Sequence, residues 1–169
     1  MKRTVSAISV SLVALAYGTL AAGAEGLVKF EGGIGVQTGM TATAVANPVR
    51  GVNSAGRPWA IQKLKVSVRN DGSISAKGEG LVLAATDAIG TRGGVLQVAA
   101  TLFCGAAAFT SPAADLSRGG DFQIRGTLSG TGAVPVPCND PALLIRIVTA
   151  NVAGSWIAAG TLDDDGGED

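Results

Sequence analysis

Between Lys63 and Val82 the chain alternates with period two and turns back on itself midway. Leu64, Val66 and Val68 interleave with Lys63, Lys65, Ser67 and Arg69. After Asn70-Asp71-Gly72, Ile74, Ala76, Gly78, Gly80 and Val82 interleave with Ser75, Lys77 and Glu79. Alternation of this kind commits a segment to extended strands with one apolar and one solvated face. The turn then selects the register. A two-residue Asp71-Gly72 turn would set Val68 against Ser75 and Val66 against Lys77, mixing the faces. A three-residue loop with Gly72 left-handed sets Val68 by Ile74, Val66 by Ala76, and Lys63 opposite Glu79 on the outer face. The three-residue loop is expected.

Other segments follow the same logic. Val28 to Val36 reads as a strand loosened by Gly32, Gly33 and Gly35. Val95 to Phe103 is an almost unbroken apolar run, the signature of a strand buried on both faces. Phe122, Ile124 and Leu128 alternate with polar neighbours after Arg118-Gly119-Gly120-Asp121, and Leu143–Val148 and Trp156–Ala159 complete the set. Thr41–Ala46 is a weak candidate edge strand. No long amphipathic helix is found; Ser111-Pro112 before Ala113, Ala114 and Asp115 has the cap chemistry of a short one. The segments 38–58 and 106–120 read as long loops. The expected fold is all-β: a single antiparallel β-sandwich of seven or eight strands over residues 25–162. A membrane barrel would need aromatic girdles; with six aromatics after residue 24 and no Tyr among them, it is disfavoured.

The amino terminus reads as an address. Lys2 and Arg3 precede an apolar stretch, Val5 to Leu20, that is too short and too Ser-rich for a membrane span. Ala22-Gly23-Ala24 supplies a small-x-small cleavage pattern, so residues 1–24 are expected to be a cleaved signal peptide, with no membrane span afterwards and a secreted or periplasmic, cell-envelope destination. In an oxidising compartment, Cys104 and Cys138, the only thiols, are expected to form one disulfide.

Composition closes off much chemistry. The chain has no His, hence no imidazole base, no Ser-His or Cys-His pair and no His-ligated metal. No G-x-S-x-G elbow, S-x-x-K dyad or P-loop is present. The 13 basic and 13 acidic residues divide into +2 over residues 1–24, +3 over 25–162 and −5 over 163–169. Three excess charges spread over a β domain predict no basic stripe, and no nucleic-acid partner. The acidic end, expected to be disordered, holds Asp163-Asp164-Asp165-Gly166, the start of a calcium loop without its later ligands. Asp163, Asp165 and Glu168 are its candidate ligands. Asp121 and Asp140 read as turn residues, and Glu79 as the partner of Lys63. Trp59 and Trp156 read as core or core-rim packing. Trp59 and Arg92 also form a candidate ligand rim, with Gly90-Thr91-Arg92-Gly93-Gly94 as a turn or an anion nest.

Phe30-Glu31-Gly32-Gly33-Ile34-Gly35-Val36, Arg57-Pro58-Trp59-x-Ile61, Ala100-Thr101-Leu102-Phe103-Cys104, Gly120-Asp121-Phe122-x-Ile124, Pro137-Cys138 and Leu143-Leu144-Ile145-Arg146 together resemble a group of uncharacterised secreted bacterial proteins. The stretch from Cys104 to Ile147 is also similar to prealbumin-like sandwich modules. Neither resemblance implies a catalytic residue or a cofactor. The functional expectation is an exported, non-catalytic β-sandwich protein with an interaction or structural role, its partner a protein or envelope component, with self-association through an edge strand as one route. Two alternatives stand beside it: a small-ligand or calcium-binding module, and a His-independent hydrolase using paired carboxylates.

Overall fold

The structure, a computed structural model, describes residues 24–37 and 47–163. Apart from Ala24, the expected signal peptide lies outside the described residues, as do Thr41–Ala46, Asp165 and Glu168. The described chain is all-β. Twelve strands follow one another: β1 Gly26–Gly35, β2 Trp59–Ala60, β3 Lys63–Arg69, β4 Ser73–Glu79, β5 Val82–Leu83, β6 Gln97–Cys104, β7 Ala107–Thr110, β8 Ala114–Asp115, β9 Phe122–Thr127, β10 Ser129–Gly130, β11 Pro141–Thr149 and β12 Val152–Leu162. Eight of them have four or more residues, which matches the expected count.

All the pairings between these strands are antiparallel; an isolated bridge between Ser54 and Trp156 is parallel. The main sheet runs β10-β7-β6-β11-β12-β1-β3-β4-β9, with β8 added to β6, and β2 pairs β5 separately. The main sheet curls so that β9 approaches β8 and β6, leaving it nearly closed, as in a sandwich or a barrel-like β fold. Inward residues of one half (Phe30, Leu64, Val66, Val68, Ile74, Ala76, Phe122 and Ile124) form one apolar cluster with Leu102, Leu143, Ile145 and Ile157 of the other.

The β3–β4 hairpin has the expected register: Val68 pairs with Ile74, Val66 with Ala76, and Lys63 with Glu79. Gly72 takes φ +78°, its N–H donates to Arg69 O at 2.9 Å, and Asp71 accepts from Ser73 N at 2.8 Å. The alternation does not continue to Val82. At Gly80 the backbone turns through φ +66° and the phase slips by one, so Leu81 and Leu83 are buried instead of Gly80's successor in the pattern, Val82. The slip brings Leu81 N to Gly120 O at 2.8 Å and Gly80 N to the Asp121 carboxylate at 3.1 Å.

The short helix expected after Ser111-Pro112 does not form. Ser111 Oγ accepts from Ala100 N at 3.0 Å and donates to Pro112 O at 2.8 Å, so a hydroxyl stands in for a ladder group beside a residue with no N–H. Ala114 and Asp115 then pair with Val98 and Gln97 as β8. The stretch read as a loop over 106–120 therefore contains two strands, because β6 offers a long edge that local helix propensity cannot outweigh.

Strand β6 is buried from Val98 through Cys104, as its unbroken apolar run predicts, and Leu143, Leu144 and Ile145 are buried in succession on β11. One cover for the outer side is the segment 47–58. It runs over β12, with Asn47 O accepting from Trp156 Nε1 at 2.8 Å and backbone bonds linking Asn53 and Ala55 to Trp156. Trp156 and Trp59 are both core residues.

Close backbone approach makes Gly35 irreplaceable: a Cβ there would lie 2.0 Å from Trp59 O. Gly35→Ala is expected to cost about 2–3 kcal/mol, the upper part of the overpacking range, read as a lower urea midpoint at unchanged slope. Gly26→Ala, where a Cβ meets nothing within 4 Å, is the control; equal losses at the two positions would refute the steric account.

Candidate functional site

Alternation along β3 and β4, and locally over Lys29–Glu31 of β1 and Phe122–Arg125 of β9, sends every second residue outward, and antiparallel pairing lines those residues up in rows. One row reads Lys29, Ser67, Ser75, Arg125 across the four strands. The next reads Glu31, Lys65, Lys77, Gln123. Beyond these lie Arg69 and Ser73 on one side and Lys63 opposite Glu79 on the other. Six of the eleven Lys and Arg residues between 25 and 162 thus share one face with three carboxylates, Glu31, Glu79 and, at its edge, Asp163. This corrects the expectation of no basic stripe. The contributing segments are far apart in sequence, and only the sheet order brings them together.

The rows differ in side-chain length, and that shapes the surface. Ser67 and Ser75 are short, so they floor a trough between longer neighbours. Two adjoining depressions of about 350 and 380 Å³ share those serines. The first is rimmed by Lys29, Lys65 and Lys77, the second by Arg69 and Arg125. No aromatic ring other than the buried Phe30 lines either one.

Lys65 and Lys77 stand directly opposite each other, a like-charge arrangement that destabilises a sheet by a few tenths of a kcal/mol or more. Flanking carboxylates offset it. Lys65 pairs with Glu31, Lys77 with Glu79 at 2.7 Å, and Lys63 with Glu79 at 3.5 Å. Arg69 and Arg125 form no salt bridge among the described residues, and Arg69 acts on Asp71 through its charge alone. The hydrogen bond and charge of Glu31 raise the Lys65 pKa above the ordinary lysine value, and those of Glu79 do the same for Lys77. In return, the hydrogen bond from Lys77, then the charges of Lys77 and Lys63, hold the Glu79 carboxyl below its usual range.

Because the folded-state pKa of Glu79 is depressed, its contribution is present above the unfolded value and lost as pH falls through the folded one. Urea midpoints across the acid limb should therefore fall less steeply for Glu79→Gln than for the parent chain. Asp71, also depressed by its bond to Ser73, keeps part of the slope; superimposable acid limbs would show that the Lys–Glu lattice contributes nothing.

The other residues that the sequence nominates are placed as follows. Cys104 and Cys138 form the expected disulfide, with 4.9 Å between Cα atoms. Trp59 and Arg92 do line a common cavity of about 380 Å³. Its cation is already engaged, however: Arg92 Nη1 donates to Leu116 O at 2.9 Å and Val95 O at 3.2 Å. Thr91 and Gly93 are tied within the same turn. Arg92 therefore fastens the loop before β6 to the segment after β8. Asp121 reaches across to Gly80 N rather than to its own turn, and Asp140 pairs with Arg50 at 2.6 Å. Of the calcium candidates only Asp163 is described, and no group of three metal-ligating side chains occurs among the described residues.

Fold and face together define an all-β, disulfide-bridged domain with a cationic, hydroxyl-floored sheet surface. Among known proteins, no family model, no curated protein and no solved structure matches the chain. No helix among the described residues is long and apolar enough to cross a membrane; this and the disulfide are compatible with an extracellular or periplasmic protein.

Proposed function

We propose that the protein works outside the cytoplasm as a non-catalytic interaction module, and that its β1-β3-β4-β9 face holds an acidic polysaccharide of the envelope or surroundings. The observation that carries this reading is the opposed Lys65–Lys77 pair above the Ser67–Ser75 floor. A sheet keeps like charges face to face at a cost, and local conflicts of that kind concentrate where a surface has a task. Serine hydroxyls exchange hydrogen bonds with sugar hydroxyls, while the surrounding ammonium and guanidinium groups meet carboxylate or sulfate. The lack of exposed aromatic rings in the trough disfavours stacked bases. The signal-like amino terminus and the bridge of Cys104 with Cys138 support export. The non-catalytic character is supported by the absence of His and by the engagement of Glu31, Glu79, Asp121 and Asp140 in structural bonds.

Calorimetric titration with heparin, neutral dextran and a DNA duplex of matched charge tests the proposal. Heparin should bind at low salt and weaken as salt rises, and dextran should give no heat. DNA should bind more weakly than heparin. Absence of heparin binding at low salt overturns the reading, and DNA binding equal to or tighter than heparin overturns the polysaccharide assignment.

A further inference from the structure

The cavity of about 380 Å³ beside Trp59 shares no residue with the basic trough. Its floor comes from the small β2–β5 pair, where Trp59 and Leu83 are register partners and both belong to the core. Val95 and Ile147, half-buried, extend the apolar wall. Concave sites of this size, apolar with a few polar groups at fixed places, are the usual form of a small-molecule site.

Three polar side chains border it, and no carboxylate does. Arg57 is exposed and Arg92 half-buried, and neither forms a salt bridge among the described residues. Both bonds of Arg92, to Val95 O and Leu116 O, leave from Nη1. That fastening holds the guanidinium in place and leaves its Nε and Nη2 hydrogens uncommitted among the described residues. The third group is the indole N–H of Trp59. A buried tryptophan usually gives that hydrogen to an acceptor, as Trp156 does to Asn47 O. Trp59 is only 3% exposed, yet its indole has no acceptor among the described residues. No fully enclosed side-chain nitrogen or oxygen there goes unpartnered, so this N–H borders open space, and the cavity is the space that Trp59 lines.

The site therefore offers donors and positive charge beside hydrocarbon. Guanidinium groups match the planar, two-oxygen edge of a carboxylate, and the apolar wall requires an apolar body. We propose that this cavity binds a small apolar carboxylic acid, its chain against Trp59, Leu83, Val95 and Ile147 and its carboxylate at Arg57 and Arg92. The inference is independent of the polysaccharide reading, because the two surfaces have no residue in common.

Octanoate, octanol and octylammonium, three probes with one chain and different head groups, test it on the unmodified protein at neutral pH. The chain has two tryptophans, so a nitrogen-15 spectrum gives two indole N–H signals. Octanoate should move the Trp59 signal saturably and leave that of Trp156 in place. Octanol should bind roughly tenfold more weakly, the value of a charge-assisted hydrogen bond, and octylammonium more weakly still. Arg57→Gln, a change at an exposed position, should weaken octanoate roughly three- to fivefold and leave both octanol binding and the melting temperature unaltered. The proposal is overturned if octanoate fails to shift the Trp59 signal or shifts both signals alike. It is overturned equally if octanol or octylammonium matches octanoate, or if Arg57→Gln leaves octanoate affinity unchanged.

Discussion

Replacing Lys65, Lys77 and Arg125 together by glutamine lowers heparin affinity roughly 30-fold near physiological salt. Each exposed cation–anion contact is worth about 0.7 kcal/mol, within the range measured for surface ion pairs, and the three together convert at about 1.4 kcal/mol per tenfold. The slope of log affinity against log salt should also become shallower, by close to one unit for each cation removed, because each cation that meets an anionic group releases about one condensed counterion. The three side chains come from three strands and point away from the core, so the melting temperature should hardly change. Neutralising Arg57 and Arg118, which are exposed elsewhere, should leave affinity within about twofold, since charges beyond a Debye length are screened. If the two sets of variants weaken binding equally per charge removed, the attraction is to net charge and the trough has no role.

The sequence and the folded chain agree most closely where local and long-range requirements coincide. The β3–β4 register follows from Asn70-Asp71-Gly72 because only one loop length keeps Val66, Val68, Ile74 and Ala76 on one face. The doubly buried character of β6 follows from its apolar run. The disulfide follows from the count of two thiols together with the compartment expected from the amino terminus. The mismatches have a different origin. Nothing local to Gly80 announces that the pattern slips there; the slip is driven by the pairing of Leu81 with Gly120, far along the chain. A Cβ on Gly120 would fall 2.5 Å from Leu81 N, a constraint invisible in the Gly119-Gly120 pair itself. Likewise Ser111 has genuine helix-cap chemistry, but its hydroxyl bonds Ala100 instead.

The basic face is hidden in the sequence for a related reason. Its outward positions can be read one strand at a time: Lys63, Lys65, Ser67, Arg69, then Ser75, Lys77, Glu79. The missing information is adjacency. That β1 joins β3, and β9 joins β4, is a property of the sheet order, and without it Lys29 and Arg125 count only toward a net charge. The Trp59–Arg92 rim shows the converse. The two residues do share a cavity, yet the bonds of Arg92 to Val95 and Leu116 make it a fastening, a role no motif reveals.

Removing the disulfide gives the largest expected loss of stability. Cys104 ends β6, and Cys138 precedes β11, whose first residue Pro141 pairs with Cys104. The bridge closes a loop with a sequence separation of 34, containing β7, β8, β9 and β10. In the chain-entropy account a loop of that length stabilises the fold by about 3–4 kcal/mol, chiefly by restricting the unfolded chain. A double substitution, Cys104→Ala with Cys138→Ala, should therefore lower the melting temperature by about 10–20 °C for a domain of this size. Its urea unfolding should also be steeper, because the released chain exposes more surface. Reductant should bring the parent chain to the same midpoint and leave the variant unmoved. A loss below about 1 kcal/mol would mean that the unfolded chain is already confined without the bridge. The trough lies on β1, β3, β4 and β9, away from both cysteines, so the variant that remains folded should bind heparin with parent affinity. The bridge then acts on how much folded protein exists, and the face on what that protein holds.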